Sequence, residues 1–529
     1  MHLVLLEVMM KSFLMWRENV AATVVRTLVI SLCLVGMGIA EDTDRRPPNI
    51  VYILADDLGY GDVGAMNPDG KIKTPNIDRL ANEGMRFTDA HSGSAVCTPT
   101  RYGILTGRYS WRTWMQAGVT WGYSFPLIAS NRLTVASMLE TRGYNTGCVG
   151  KWHLGLKWGV RDASKRPKDS PREGSENIDF SQRIESGPLQ LGFDYFYGIP
   201  ASLDMEPYLY VENDRVTRQP SSVIAASTGK KFWRKGPISS DFRHIEVLDW
   251  LTDKAVRFVE RQSASTPFFL YFPLPAPHKP ILPTPPYQGA SGLNEWGDFV
   301  MQVDATVGAV MAALEAKGVA ENTLFIFTSD NGATPGADFD TLKAKGHNPS
   351  AIYRGYKADI YEGGHRVPFV ARWPGAVTPG SESDAIICHT DLMATAAHIT
   401  GFELPDHAGE DSVSFLPVLK DSARTSTREA VVHHSVNGSF AIRQNHWKLI
   451  LCPGSGGWSD PRPKKARKLD LPPMQLYDLS RDIGEQNNLW KSEPDVVNRL
   501  KALLERYVAQ GRSTAGAPQE NAVAIKLFK

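Results

Sequence analysis

The sequence predicts an α/β fold: a large, mostly parallel sheet flanked by helices, followed by a smaller C-terminal α+β unit containing an antiparallel sheet. Three observations carry this. Four short apolar runs (Asn49 to Ala55, Asn145 to Gly150, Phe268 to Phe272 and Thr323 to Phe327) have the continuous hydrophobicity of strands buried on both faces. Helical patterns separate them, and strands alternating with helices build parallel sheets. After about Asp421 the pattern shifts to closely spaced short strands and one long helix.

Taken in order, the chain opens with Lys11, Arg17 and Arg26 ahead of an apolar run from Leu28 to Ile39. Gly38 and Ala40 supply the small residues of a cleavage site, so residues 1–40 read as an export signal. The run falls short of the roughly 20 residues a membrane span needs. The first strand ends at Asp56-Asp57. Ile77 to Glu83 reads as a helix closed by Gly84, and Val135 to Arg142 as another stopped by Gly143. Arg161 to Asn177 is charged and aperiodic, the signature of a surface insertion. Phe299 to Lys317 is amphipathic at helical spacing, and the strand after it ends at Asp330-Asn331. These elements make the larger domain, over residues 41–425. In the C-terminal subdomain, residues 426–529, Phe440 to Arg443 and Trp447 to Leu451 read as a hairpin. A Gly/Pro/Lys-rich stretch spans Pro453 to Pro473, a strand lies at Gln475 to Leu479, and a helix runs from Pro494 to Ala509. Within that stretch Lys464-Lys465-Ala466-Arg467-Lys468 reads as a solvated basic loop. Its functional alternative is contact with a polyanionic substrate.

Bulk properties narrow the function. The chain has 529 residues, 42% hydrophobic and 22% charged, with 58 basic against 57 acidic side chains and a net charge of +1. That composition is globular, and its balance gives no electrostatic footprint for nucleic acid or an anionic membrane. Signal removal would take Cys33 with it and leave Cys97, Cys148, Cys388 and Cys452. Four cysteines in so long a chain are no disulfide framework.

Ligands in parallel α/β sheets bind at the carboxyl ends of strands. Asp56-Asp57 and Asp330-Asn331 both stand there, and such hard oxygen donors suit Ca²⁺. No Cys/His spacing suggests zinc. Lys151 and His153, in Gly150-Lys151-Trp152-His153-Leu154-Gly155, alternate just after a strand, which in extended geometry puts both on one face. His278 is held between prolines in Pro275-Ala276-Pro277-His278-Lys279-Pro280. Lys357 closes Arg354-Gly355-Tyr356-Lys357, ahead of Tyr361-Glu362-Gly363-Gly364. Trp111, Trp114, Trp121 and Tyr123 are candidates either for stacking on sugar rings or for packing.

Cys97-Thr98-Pro99-Thr100-Arg101, followed by Leu105-Thr106-Gly107, completes the set. In this order the motifs resemble the type I sulfatases, a branch of the alkaline phosphatase-like superfamily, over roughly Pro48 to Asn488. The resemblance implies hydrolysis of sulfate monoesters, with sulfated carbohydrates as the substrate class. It implies that a maturation enzyme oxidises Cys97 to formylglycine, whose hydrated aldehyde is the nucleophile. It further implies Asp56, Asp57, Asp330, Asn331 and the modified Cys97 as Ca²⁺ ligands, with Arg101, Lys151, His153, His278 and Lys357 around the sulfate and Ser202 touching it. Thr100 stands where the family more often has Ser. The alternatives are a phosphoester or phosphonate hydrolase of the same superfamily and a non-catalytic binder of sulfated glycans.

Overall fold

Asn49–Asp56 (β1) is buried at every position because both of its edges and both of its faces are covered. The structure is a computed structural model describing Met10 and residues 46–168, 170–425 and 428–529. The expected export signal falls, but for Met10, outside the described residues.

Nine more strands join β1 in one sheet: Met85–Phe87 (β2), Asn145–Lys151 (β3), Tyr195–Ile199 (β4), Val211–Glu212 (β5), Arg215–Val216 (β6), Phe268–Pro277 (β7), Thr323–Ser329 (β8), Phe369–Arg372 (β9) and Ser381–Ser383 (β10). Their order is β10-β2-β9-β8-β1-β7-β3-β4-β5-β6. The central run β8-β1-β7-β3-β4 is parallel, and antiparallel pairs flank it on both sides. Four strands, Val431–His434 (β11), Phe440–Gln444 (β12), Trp447–Ile450 (β13) and Gln475–Asp478 (β14), form a separate antiparallel sheet.

Side chains alternate along β1. Ile50, Tyr52 and Leu54 join one core, and Val51, Ile53 and Ala55 the other. The first core is covered by Cys97–Thr106 (α2), Val135–Thr141 (α3) and Leu392–Thr400 (α7), the second by Pro75–Asn82 (α1), Val247–Arg261 (α4) and Glu295–Lys317 (α5). A third core joins Tyr109 and Trp111 to β11, β12, β13 and Pro494–Ala509 (α9). The segment after Tyr361 makes one turn of helix, Glu362–His365 (α6).

Several boundaries differ from expectation for local reasons. β7 runs on to Pro277 instead of ending at Phe272. It carries prolines where the β1 register breaks, between Leu54 and Asp56, so no ladder N–H is missed there. Helix α5 begins at Glu295, four residues before the apolar pattern, because the Asn294 side chain accepts hydrogen bonds from the backbone N–H groups of Trp296 and Gly297. The expected basic loop at Lys464–Lys468 is instead a short helix, Pro463–Lys468 (α8), started by Pro463 and pinned by buried Ala466. Cys97, Cys148, Cys388 and Cys452 are buried free thiols.

Candidate active site

Every residue of α2 is buried, so the signature helix lies inside the protein. Val96 is the extended residue before its first turn, Cys97 is its first residue, and Pro99 occupies the first turn, where a missing N–H costs nothing. Cys97 therefore sits at the positive end of the helix. Thr100 uses its hydroxyl to hold the preceding loop, donating to the carbonyls of Ser94 and Val96 at 3.1 and 3.2 Å. Burial pushes the Cys97 thiol up, against the pull of Lys151 and Lys357. A thiol raised in this way is a poor thiolate nucleophile.

Parallel pairing of β1 with β8 brings the two acidic pairs together. Ala55 lies opposite Ser329, so both strands end at the same level. Asp57, with φ of 69°, turns its backbone N–H onto Asp330 Oδ1 at 3.1 Å, and Asn331 Nδ2 donates to Asp57 Oδ1 at 2.8 Å. Asp56, Cys97 and Asp330 face one another closely enough to share an ion, as do Asp56, Asp57 and His278. Asp56 Oδ1 and Asn331 Oδ1 are buried with no hydrogen-bond partner among the described residues. Orphaned buried oxygens cost free energy unless something satisfies them. A set dominated by carboxylate and carboxamide oxygens, two of them orphaned, fits a hard cation, and Ca²⁺ fits better than zinc.

Cations interleave with these carboxylates. Lys151 Nζ donates to Asp56 Oδ2 at 2.6 Å, and Lys357 Nζ lies 2.7 Å from Asp57 Oδ1. Arg101, one turn beyond Cys97, donates to Asp330 Oδ2 and to the Lys151 carbonyl, both at 2.9 Å. Burial raises the Asp56 carboxyl, but Lys151, His278 and Arg101 outweigh it and hold the group well below the usual range. Asp330 is pushed up to about 7 by burial and by the charge of Asp56. Lys357 is held above its ordinary value because Asp57 and neighbouring negative groups overcome its burial.

Gly150 places Lys151. Its φ of 135° is open to glycine, and a Cβ there would stand 2.0 Å from the Pro273 carbonyl oxygen of β7. His153 does not follow by strand alternation as expected. Its φ of 55° ends the extended geometry, and the turn brings the ring near Lys151 by another route. Its Nε2 bonds the Thr120 carbonyl at 2.7 Å, which leaves Nδ1 as a buried acceptor without a partner among the described residues. Burial and Lys151 hold this imidazole neutral, well below its ordinary pKa. His278 lies 3.2 Å from Ser202 Oγ, which is 3.3 Å from Lys151 Nζ. Burial and Lys357 lower the His278 pKa. The structure thus gathers all eleven residues singled out in the sequence: Asp56, Asp57, Cys97, Arg101, Lys151, His153, Ser202, His278, Asp330, Asn331 and Lys357.

The comparisons decide the family. A family model described as Sulfatase matches residues 48–402, and one described as N-sulphoglucosamine sulphohydrolase, C-terminal, matches residues 356–458. The chain belongs to the sulfatase family. It is 36% identical to an N-acetylgalactosamine-6-O-sulfatase from Bacteroides thetaiotaomicron, covering 87% of this chain and 93% of the relative. It is 32% identical to human arylsulfatase A, covering 94% of this chain and 95% of that protein. A solved structure from a study of glycosaminoglycan metabolism by Bacteroides thetaiotaomicron, labelled 6S-sulf, superposes with a TM-score of 0.75 at 35% identity, covering 87% of this chain and 99% of that one. This sulfatase is accordingly a sulfuric ester hydrolase.

Residues missed in the sequence support the site from behind. Thr98 and Thr120 donate to the His153 carbonyl at 2.9 and 2.8 Å. Buried Asp204 pairs with Arg234, whose guanidinium lies 4.7 Å over Trp121. Hydroxyls that bond one backbone carbonyl carry no pattern a sequence can show; Asp204 lies two residues after Ser202. The four candidate aromatics divide. Trp111 and Tyr123 are buried, Trp111 packing on Tyr109 and Phe440, whereas Trp114 is exposed and Trp121 half-buried.

Proposed function

We propose that this sulfatase is exported, depends on Ca²⁺, and hydrolyses sulfate monoesters of carbohydrates through a formylglycine that a maturation enzyme makes from Cys97. The observation that best supports this is the meeting of Cys97 with three carboxylates and three cations at the start of a buried helix. Asp56, Asp57, Asp330 and Asn331 would hold the ion together with the modified Cys97. Hydrated formylglycine supplies one hydroxyl to attack sulfur and a second whose deprotonation expels sulfate. Ca²⁺ supplies positive charge that eases loss of the attacking hydroxyl's proton.

The chain's own side chains do the rest. Lys151 and Lys357 offset charge growing on the sulfuryl oxygens, with Arg101 holding Asp330 in line behind them. His278, steadied by Ser202 and charged once the anionic sulfate group binds beside it, protonates the departing oxygen, which a sugar alkoxide requires. His153, fixed through Nε2 to Thr120, presents Nδ1 to take the proton of the second hydroxyl. Residues 1–40 serve as the export signal, and residues 426–529 form a subdomain on the catalytic domain. One relative is named for N-acetylgalactosamine-6-O-sulfate, so that sugar sulfate is the first to assay. The test joins mass analysis of the Cys97 peptide with sulfate release from the sugar. An unmodified thiol in fully active protein would overturn the mechanism, and phosphate release at a higher rate than sulfate would overturn the substrate.

A further inference from the structure

Resting on the sulfatase reading above, we infer that the loop carrying Trp458 and the basic helix α8 form a platform beside the catalytic pocket, built to hold an oligosaccharide bearing several negative charges.

The loop is tied to the pocket wall. Lys357 starts a segment in which buried Asp359 accepts hydrogen bonds from the backbone N–H groups of Trp458 and Ser459 at 2.7 and 3.0 Å. The Ile360 N–H donates to the Ser455 carbonyl at 2.8 Å. Gly457 packs so closely that a Cβ would stand 2.3 Å from the Ala358 carbonyl oxygen. Trp458 is consequently fixed beside Lys357, whose Nζ lies 6.0 Å from the centre of its ring. The ring is nonetheless 39% exposed, although a tryptophan beside so much buried surface would ordinarily be covered. A rigid, half-open indole next to a catalytic cation offers a flat face for a sugar ring, at little entropic cost.

Charge identifies the occupant. Arg462 Nε donates to the Trp458 carbonyl at 2.8 Å, so α8 continues directly from the indole. Arg462, Lys464, Lys465, Arg467 and Lys468 are all exposed. Among the described residues their one ion pair is Lys465 with Asp460, at 3.4 Å and solvated on both sides. In a chain of net charge +1 this puts five cations within 7 residues, flanked by Asp460 and Asp470, and the Arg462 contact ties that excess to the indole beside Lys357. Such a patch attracts a flexible polyanion and loses its pull as salt rises. A lone sulfated monosaccharide seated in the pocket would leave it unused.

The test compares three probes on the wild-type chain, Trp458→Ala, and the charge-reversed variant Lys464→Glu/Lys465→Glu/Arg467→Glu/Lys468→Glu. The probes are nitrophenyl sulfate, N-acetylgalactosamine 6-sulfate and a size-defined chondroitin 6-sulfate hexasaccharide. Both variants are expected to lose about tenfold or more in kcat/KM on the hexasaccharide, mainly through KM, and charge reversal to flatten its salt dependence. Losses on the two small substrates are expected to stay within about twofold. Equal losses on all three would make the loop a structural support and overturn the platform, as would no loss on any. Calorimetric binding of the hexasaccharide separates the two readings. If no probe is hydrolysed but the wild type binds it and the charge-reversed chain does not, the platform stands while the enzymatic reading falls. If a DNA oligomer of equal charge displaces the hexasaccharide at equal concentration, the patch is a general anion surface and the glycan platform is overturned.

Discussion

Cys97 concentrates the chemistry in one atom. Its thiol is buried, raised in pKa and placed at a helix start against Asp56 and Asp330, an environment that disfavours a thiolate. Cys97→Ala and Cys97→Ser are both expected to fold and to show no turnover, because a methyl cannot attack and a single hydroxyl has no second one to drive release. Sustained multiple turnover by the Ser variant, measured as sulfate released per site, would remove the formylglycine route. His278 makes a sharper test of role. His278→Ala is expected to cost on the order of 10²–10⁴-fold in kcat/KM on a sugar sulfate, the usual worth of a general acid. On nitrophenyl sulfate the loss should be far smaller, since that leaving group departs without a proton. Equal losses on both substrates would reassign His278 to binding, together with Ser202, and shift the acid to Lys357. At this scale legibility followed residue type: acids, histidines and lysines in short motifs announced themselves. Thr98 and Thr120, which hold His153 through its own carbonyl, did not.

Two strand ends make the corner proposed to hold the metal. Because Ala55 stands opposite Ser329 across a parallel pair, Asp56-Asp57 and Asp330-Asn331 are forced together whether or not an ion is present. Three carboxylates and a carboxamide then crowd one spot, with Asp56 Oδ1 and Asn331 Oδ1 unsatisfied among the described residues. Chelation is expected to suppress activity and also lower thermal stability, and Ca²⁺ should restore both better than Zn²⁺. A site at 100 times its dissociation constant adds about 2.7 kcal/mol to the folded state, so the melting shift is measurable. Stoichiometric zinc with no calcium in active protein would sink the ligand assignment. The parallel strands were readable because burial on both faces leaves an unbroken apolar run, as in Phe268 to Phe272. What stayed hidden is tertiary: the left-handed turn at His153, and the extension of β7 through prolines where the register slips. The helix at Pro463–Lys468 hid behind a composition of charge and proline that usually marks a loop; buried Ala466, packed beneath the chain at Gly454, makes it a helix.

Across the whole molecule the acid response is set by buried imidazoles. His91, His244, His365, His389, His433 and His434 are all pushed below their ordinary pKa by burial, with His244, His389 and His434 down to about 4. Three of them share a network at the seam between α6 and the C-terminal sheet. His365 stacks on His433 at 3.6 Å, bonds His91 at 3.1 Å, and receives Lys448 Nζ at 3.0 Å. Around them Asp89, Glu362 and Glu485 face Arg366, Arg443 and Lys448. The three acids are already shared with three cations, His91 Nε2 also lying 2.6 Å from Asp89 Oδ1, so a proton added to a ring gains no acid of its own. The rings are neutral in the folded state, whereas the unfolded chain protonates them below about 6.5. The unfolded state therefore binds more protons, and stability falls as the pH drops from about 6.5 toward 4. Glu485 and Asp330, both pushed up to about 7 by burial, work in the opposite sense, but they are two groups against six. A shift from about 6.5 to about 4 is worth about 3 kcal/mol per histidine once the pH reaches 4. Melts at constant Ca²⁺ from pH 7.5 to 4.5 should show a steady decline, and a flat or rising melting temperature would refute this account. His244→Phe isolates one contribution. The ring stacks on Trp233 at 4.4 Å, and its Nε2 has no hydrogen-bond partner among the described residues, so phenylalanine keeps the stack and removes only the titration. The variant should match the wild type at pH 7.5 and lose less stability on acidification, by up to one proton in the slope of unfolding free energy against pH.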